Sequence, residues 1–161
     1  MHTTSFIKMK NDTVDKTRIL FRPEIYTQEE VHSKCPNFLH KIDIIDSISI
    51  NIENHFGALV SFNIFTRDCA VYGGRNDTAI LGFLFRYFSN FFSLPYDGCE
   101  RSHMEDLKGK KVQYFLNPKG QVIFLGNEKG QFIEIDDVRY LRYSQAEGEL
   151  LKEKDRIEDF D

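Results

Sequence analysis

Two cysteine–histidine pairs have the local spacing of metal ligands, His32-x-x-Cys35 and Cys99-x-x-x-His103. If the segments carrying them met, two thiolates and two imidazoles would give a zinc ion its preferred tetrahedral donors. The pairs are isolated and neither is a CxxC, so the plainer expectation is four scattered residues and no metal. Cys99, His103 and Asp97 also have the types of a nucleophile, its base and an orienting acid. A thiol of that kind needs surroundings that lower its pKa, and the neighbour here is Glu100, a negative charge. Cys69 falls in an apolar run and is expected to pack. The expectation is a chain with no catalytic residue and no cofactor.

Gly73-Gly74-Arg75-Asn76 precedes a helical pattern, and glycines before a helix can present backbone N–H groups to a phosphate, with Arg75 adding charge. These four residues are the candidate ligand site, for a nucleotide-sized anion held against nearby aromatic rings. The spacing is neither GxGxxG nor a Walker loop, and a plain strand-to-helix turn is the competing reading. Arg101, Lys108, Lys110, Lys111 and Lys119 lie near Tyr114 and Phe115, a pattern that could hold a nucleic-acid backbone and stack bases. Only one strand supplies the aromatics, so an edge guarded by lysines is the expected meaning.

The densest signal is aromatic. Phe83, Phe85, Tyr87, Phe88, Phe91 and Phe92 crowd a segment that also holds Ile80, Leu81, Leu84 and Leu94. At 100° per residue this covers more than the stripe that one sheet can bury. Either the helix is central and covered on both sides, or one face is left for a partner, where aromatic side chains dominate binding energy. Phe85, Arg86 and Phe92 are the candidate contact residues on that second reading, with Arg86 and Asn90 marking a wet edge.

These residues need elements to position them. Thr27 and Glu30 form a capping box opening a short helix that Pro36 stops. Ile48, Ile50 and Ile52 alternate with polar residues, then Val60, Phe62 and Ile64 do the same after Asn54-His55-Phe56-Gly57, which predicts a hairpin. Its second arm is expected to run on to Tyr72 and stop at Gly73-Gly74, with strand also at Ile42–Ile45 and at Arg18–Phe21. A helix from Thr78 to Ser93 follows, ended by Pro95, and then a loop over Tyr96–Asp106. Lys111–Leu116, Gln121–Leu125 and Gln131–Ile135 read as a meander with turns at Asn117–Gly120 and Gly126–Gly130. The fold class is α+β: an antiparallel sheet of two hairpin or meander units around one central aromatic helix, with short N-terminal and C-terminal helices. The expected organisation is a loose lead-in over 1–16, one domain over 17–143 and an acidic helical or disordered tail over 144–161. No internal repeat is read.

The formal net charge is −4, and it resides in the tail, since removing Glu147–Asp161 leaves acidic and basic residues equal in number. A neutral body argues against broad binding to nucleic acid. The tail, with Glu147 and Glu149, could instead face a basic groove. Three cysteines make an odd set without CxxC, which favours reduced thiols. No signal peptide and no membrane span are read, so the expected location is the cytoplasm.

From about Asp46 to Val138 the order of elements resembles small bacteriophage and prophage accessory proteins: a hairpin, the Gly73-Gly74 turn, one helix, Leu107-Lys108-Gly109-Lys110-Lys111-Val112, and Val122-Ile123-Phe124-Leu125-Gly126. The first hairpin carries fewer glycines than that pattern, and the long N-terminal segment and acidic tail depart from it. The resemblance implies a non-enzymatic binding protein in the host cytoplasm, such as an anti-CRISPR-like inhibitor of host defence. Its partner would be a host protein or a protein–nucleic-acid complex, and a homodimer is a further possibility. A sponge for nucleotide signals is the alternative, and a cysteine-dependent enzyme the third reading.

Overall fold

The computed structural model describes residues 23–55, 57–95 and 100–139, with the backbone alone at 53–55, 57 and 58. The expected lead-in, the strand at Arg18–Phe21, the acidic tail and Cys99 lie outside the described residues.

The capping box forms as its residue types dictate. Thr27 Oγ1 accepts from the Glu30 amide at 3.1 Å, and Glu30 Oε1 accepts from the Thr27 amide at 2.8 Å. This opens α1 (Gln28–Lys34), which ends before Pro36. Its one fully buried side chain, Val31, packs against Phe115, Phe124 and Phe132.

Two antiparallel sheets follow. The first has four strands in the order β1 (Leu39–Ile44), β5 (Lys111–Leu116), β6 (Val122–Gly126), β7 (Phe132–Glu134). The second is a meander of β2 (Ser47–His55), β3 (Gly57–Phe65) and β4 (Ala70–Asp77). One stretch of chain serves both. After β1, Ile45 is tied to the first sheet through Lys110 and Gly109, while the Asp46 amide already donates to Phe65 in the second. The sheets therefore share a corner, and β1 and β2 form their outer strands on one continuous run.

The second hairpin arm does not run on to Tyr72. Thr66 Oγ1 accepts from the amides of Asp68 and Cys69 and turns the chain there, so Cys69 sits in a turn and a third strand begins. That strand, β4, passes through Gly73 and Gly74 instead of stopping at them. Both glycines answer to close neighbours: a Cβ at Gly73 would lie 2.8 Å from Asn63 Oδ1, and one at Gly74 would lie 2.9 Å from the Tyr72 hydroxyl.

The long helix α2 (Thr78–Phe91) is central. Ile80, Leu84, Phe85, Phe88, Ser89, Phe91 and Phe92 are buried, whereas Arg86 and Asn90 are exposed. Phe62 of β3 meets Tyr72, Phe85 and Phe88 at ring separations of 5.6, 5.2 and 5.7 Å, all tilted or edge-on. Contacts of that geometry add about 0.5–1.5 kcal/mol each beyond the area they bury. A 3-10 helix (Arg101–Leu107) occupies the stretch read from sequence as loop, and it sets Met104 and Leu107, one turn apart, into the core beside α2. A short helix, α3 (Asp136–Arg139), closes the described chain against β4 and β7.

The turns after β5 and β6 repeat one device that the sequence reading passed over. Asn117-x-Lys119-Gly120-Gln121 and Asn127-x-Lys129-Gly130-Gln131 share residue types at equal spacing. In each, the Asn Oδ1 accepts from the amides two and four residues on, and its Nδ2 donates to the Gln Oε1. Gly120 and Gly130 both take φ of +81°, the left-handed conformation that favours glycine.

Candidate functional site

A sheet ends where backbone donors and acceptors find no further strand, and how each end is covered shows which are available to a partner. The outer edge of β7 is taken by Tyr26, which exchanges two 2.8 Å backbone bonds with Phe132. On β4, Arg139 Nε donates to the Gly73 carbonyl at 2.7 Å. On β2, Arg101 Nη2 donates to the Ile50 carbonyl at 2.8 Å. Among the described residues, β1 receives no such bond from another element. Its one edge bond is local, from the Ile44 amide to Asp43 Oδ1 at 2.8 Å.

The direction of the β1 backbone follows from its neighbour. Ile45 donates to Lys110 and accepts from Gly109, so it faces β5. Alternation then turns the backbone groups of His40, Ile42 and Ile44 outward, away from the sheet. The side chains of Ile42 and Ile44 are 60% and 53% exposed. Further along the same run Ile52 is 55% exposed, and Leu39 at its start is 55%. Lys41 and Asp43 alternate with the isoleucines and project from the other face.

His40 fixes this strand from within. Its ring lies 4.9 Å from that of Phe115 and 6.0 Å from that of Phe132. His40 Nε2 is 2.8 Å from Gln113 Oε1, and Gln113 Nε2 donates to the Asn127 carbonyl at 3.0 Å. Asn127 is buried, and its Nδ2 donates to the Phe91 carbonyl at 2.7 Å, which satisfies an acceptor at the C-terminal end of α2. At the surface, Gln28 Nε2 lies 3.4 Å from His40 Nδ1 and 3.5 Å from His32 Nε2. Because Gln113 uses its amide nitrogen on Asn127, its oxygen must face His40. His40 therefore carries a proton on Nε2. A continuous polar path thus runs from α1 through β1 and β5 to α2. Of the side chains that form it, only His32 is a candidate residue in the sequence. The repeated Asn-x-Lys-Gly-Gln turns were the signal that could have found Asn127.

The residues that were singled out fall elsewhere. Phe85 and Phe92 are each only 3% exposed, so the reading of them as a contact surface is corrected: they fill the core, Phe85 against Phe62 and Phe92 against Phe88. Arg86 is exposed on the wet edge of α2. Glu147 and Glu149 lie outside the described residues. Gly73, Gly74, Arg75 and Asn76 belong to β4 and form no turn, and Asn76 is fully buried, with Nδ2 donating to the Arg139 carbonyl at 3.5 Å. The phosphate-loop geometry expected of them is therefore replaced by a strand. His32 stacks edge-on against Phe115 at 5.0 Å, while His103 Nδ1 accepts from the Glu100 amide at 3.3 Å and Cys35 packs beside the Val31 cluster. Among the described residues, no group of three or more His, Cys, Asp or Glu could hold a metal ion.

Comparison with family models, with curated proteins and with solved structures gives no match. Among the described residues, no helix is long and apolar enough to cross a membrane.

Two titratable neighbourhoods stand out, one on β5 beside β1 and one at the β7 end of the sheet. Tyr114 of β5 has its hydroxyl against the Cys69 thiol and the Thr66 hydroxyl, and burial pushes it up to about 12, with Cys69 adding to the rise. Glu134 and Asp137 both have raised carboxyl pKa values, first through burial and then through their acidic neighbours Asp136, Glu24 and, for Glu134, Asp137. Lys34 opposes the rise at both.

Proposed function

We propose that this chain works by binding another protein along the outer run Leu39–Ile52, and not by catalysis. The observation that carries the reading is a single stretch of chain forming the outer strand of both sheets, with Leu39, Ile42, Ile44 and Ile52 each more than half exposed. Outward N–H and C=O groups beside exposed isoleucines are what strand addition uses: main-chain bonds give affinity and alternate side chains give specificity. Inhibition of a host defence complex by occupation is the role implied by the resemblance to small phage accessory proteins, and it rests on that resemblance alone.

The test replaces Ile42 and Ile52 together by Lys, which keeps both strands and makes the edge repel a pairing strand. Affinity capture with the wild-type chain and with the variant is then compared at matched stability. Loss of a specifically captured protein supports the reading, and identical capture removes this edge from it.

A further inference from the structure

We infer that the partner of β1 is a second copy of this chain, joined strand to strand across a two-fold axis through Ile42. This rests on the reading of the outer run as a binding surface and names its occupant. In an antiparallel pairing of two identical strands the register is set by which residue lies on the axis. Only His40, Ile42 and Ile44 turn their backbone groups outward on β1, so the axis falls on one of them at a hydrogen-bonded pair or on Lys41 or Asp43 at a non-hydrogen-bonded one.

Centred on Ile42, each Lys41 lies opposite Asp43 of the second copy, and each Asp43 opposite its Lys41. Opposite charges directly across an antiparallel pair stabilise it, and like charges destabilise it. An axis at residue 41 would set Lys against Lys, and one at residue 43 would set Asp against Asp. The charge order Lys41-Ile42-Asp43 is thus self-complementary in one register and repulsive in the two beside it.

The backbone agrees. With Ile42 on the axis, His40 pairs with Ile44 of the second copy and Ile44 with its His40, all through outward groups. The exposed faces of Ile42 and Ile44 from both copies then lie together and leave water. The Asp43 carboxylate, which accepts from the Ile44 amide at 2.8 Å in the single chain, releases that amide to the new strand and turns to Lys41 across the axis. Two four-stranded sheets become one sheet of twice the width, whose remaining edges are the β7 strands already covered by Tyr26.

A charge-swap cycle on the full chain tests this by light scattering during size exclusion, with circular dichroism to confirm folding. The wild type is expected to be a dimer, Lys41→Asp and Asp43→Lys each to shift it towards monomer, and the double swap to restore the dimer. Independently, Ile42→Cys is expected to form an intermolecular disulfide on mild oxidation and Ile44→Cys not to, because only residue 42 meets itself. A wild type that stays monomeric at every attainable concentration overturns the inference, as does cross-linking through residue 44 or a double swap that is folded but remains monomeric. In the first of these cases the outer run can still bind a different protein. That broader reading fails only if Ile42→Lys with Ile52→Lys leaves every association unchanged.

Discussion

His40 donates from Nε2 to Oε1 of Gln113 at 2.8 Å, and this bond leads from the surface of α1 to the centre of the fold. Replacing Gln113 by Leu leaves the Asn127 carbonyl and the His40 ring without their partner. Buried groups orphaned in this way cost about 1–3 kcal/mol. Chemical denaturation should show a loss of that size. Nitrogen NMR at neutral pH should find the wild-type His40 proton on Nε2, and the same proton on Nδ1 would contradict the path.

The two Asn-x-Lys-Gly-Gln turns provide an internal control. Asn117 organises only its own turn, whereas Asn127 also donates to the Phe91 carbonyl and is 2% exposed. Asn127→Ala should therefore destabilise by about 1–3 kcal/mol more than Asn117→Ala, the cost of the extra buried bond and its unsatisfied carbonyl. Equal losses in thermal or urea unfolding would mean that the helix-end bond contributes nothing.

The raised carboxyl groups of Glu134 and Asp137 fix a sign for the pH dependence. Each holds its proton in the folded state at a pH where the unfolded chain has lost it. Their destabilising effect is absent below the unfolded pKa and complete above the folded one, so stability rises as pH falls through the window just above the ordinary carboxylate range. Glu134→Gln should flatten that rise in melting temperature relative to the wild type. A variant with the same slope would show that Glu134 does not contribute to it.

Gly74 and Tyr72 should behave as a coupled pair. The Tyr72 hydroxyl is buried without a hydrogen-bond partner among the described residues, and a Cβ at position 74 would approach it to 2.9 Å. Tyr72→Phe should be close to neutral, within about 0.5 kcal/mol, because no bond is lost. Gly74→Ala alone should destabilise by about 1–3 kcal/mol through overpacking. The double variant should recover part of that loss, and strict additivity in the mutant cycle would show that the two positions do not meet.

Much of this architecture is written in local pattern. Thr27 and Glu30 announce α1, the Ile48/Ile50/Ile52 and Val60/Phe62/Ile64 alternation announces the first hairpin, and Lys111–Leu116 is a strand with the bounds read from sequence. What the pattern does not carry is tertiary. Gly73 looks like a stop until Asn63 of the neighbouring strand is seen to crowd it, a contact that no local window contains. Phe85 and Phe92 look available because a helix apolar all round is equally a core element and an interface. Only the placement of Phe62, Tyr72 and the 3-10 helix around α2 decides. The candidate site itself was nearly silent. An edge strand is defined by the absence of a neighbour, and β1 became an edge only once β5 had taken its other side.

That pairing has a consequence for how the chain is made. Sheet partners β2, β3 and β4 follow one another directly, but Leu39 of β1 pairs with Leu116 of β5. A chain synthesised from its N-terminus can close the meander early, while β1 waits for β5 with both of its sides open. The interval in which residues 39–44 are most open to wrong pairing is therefore set by the speed of translation, and not by the stability of the finished protein.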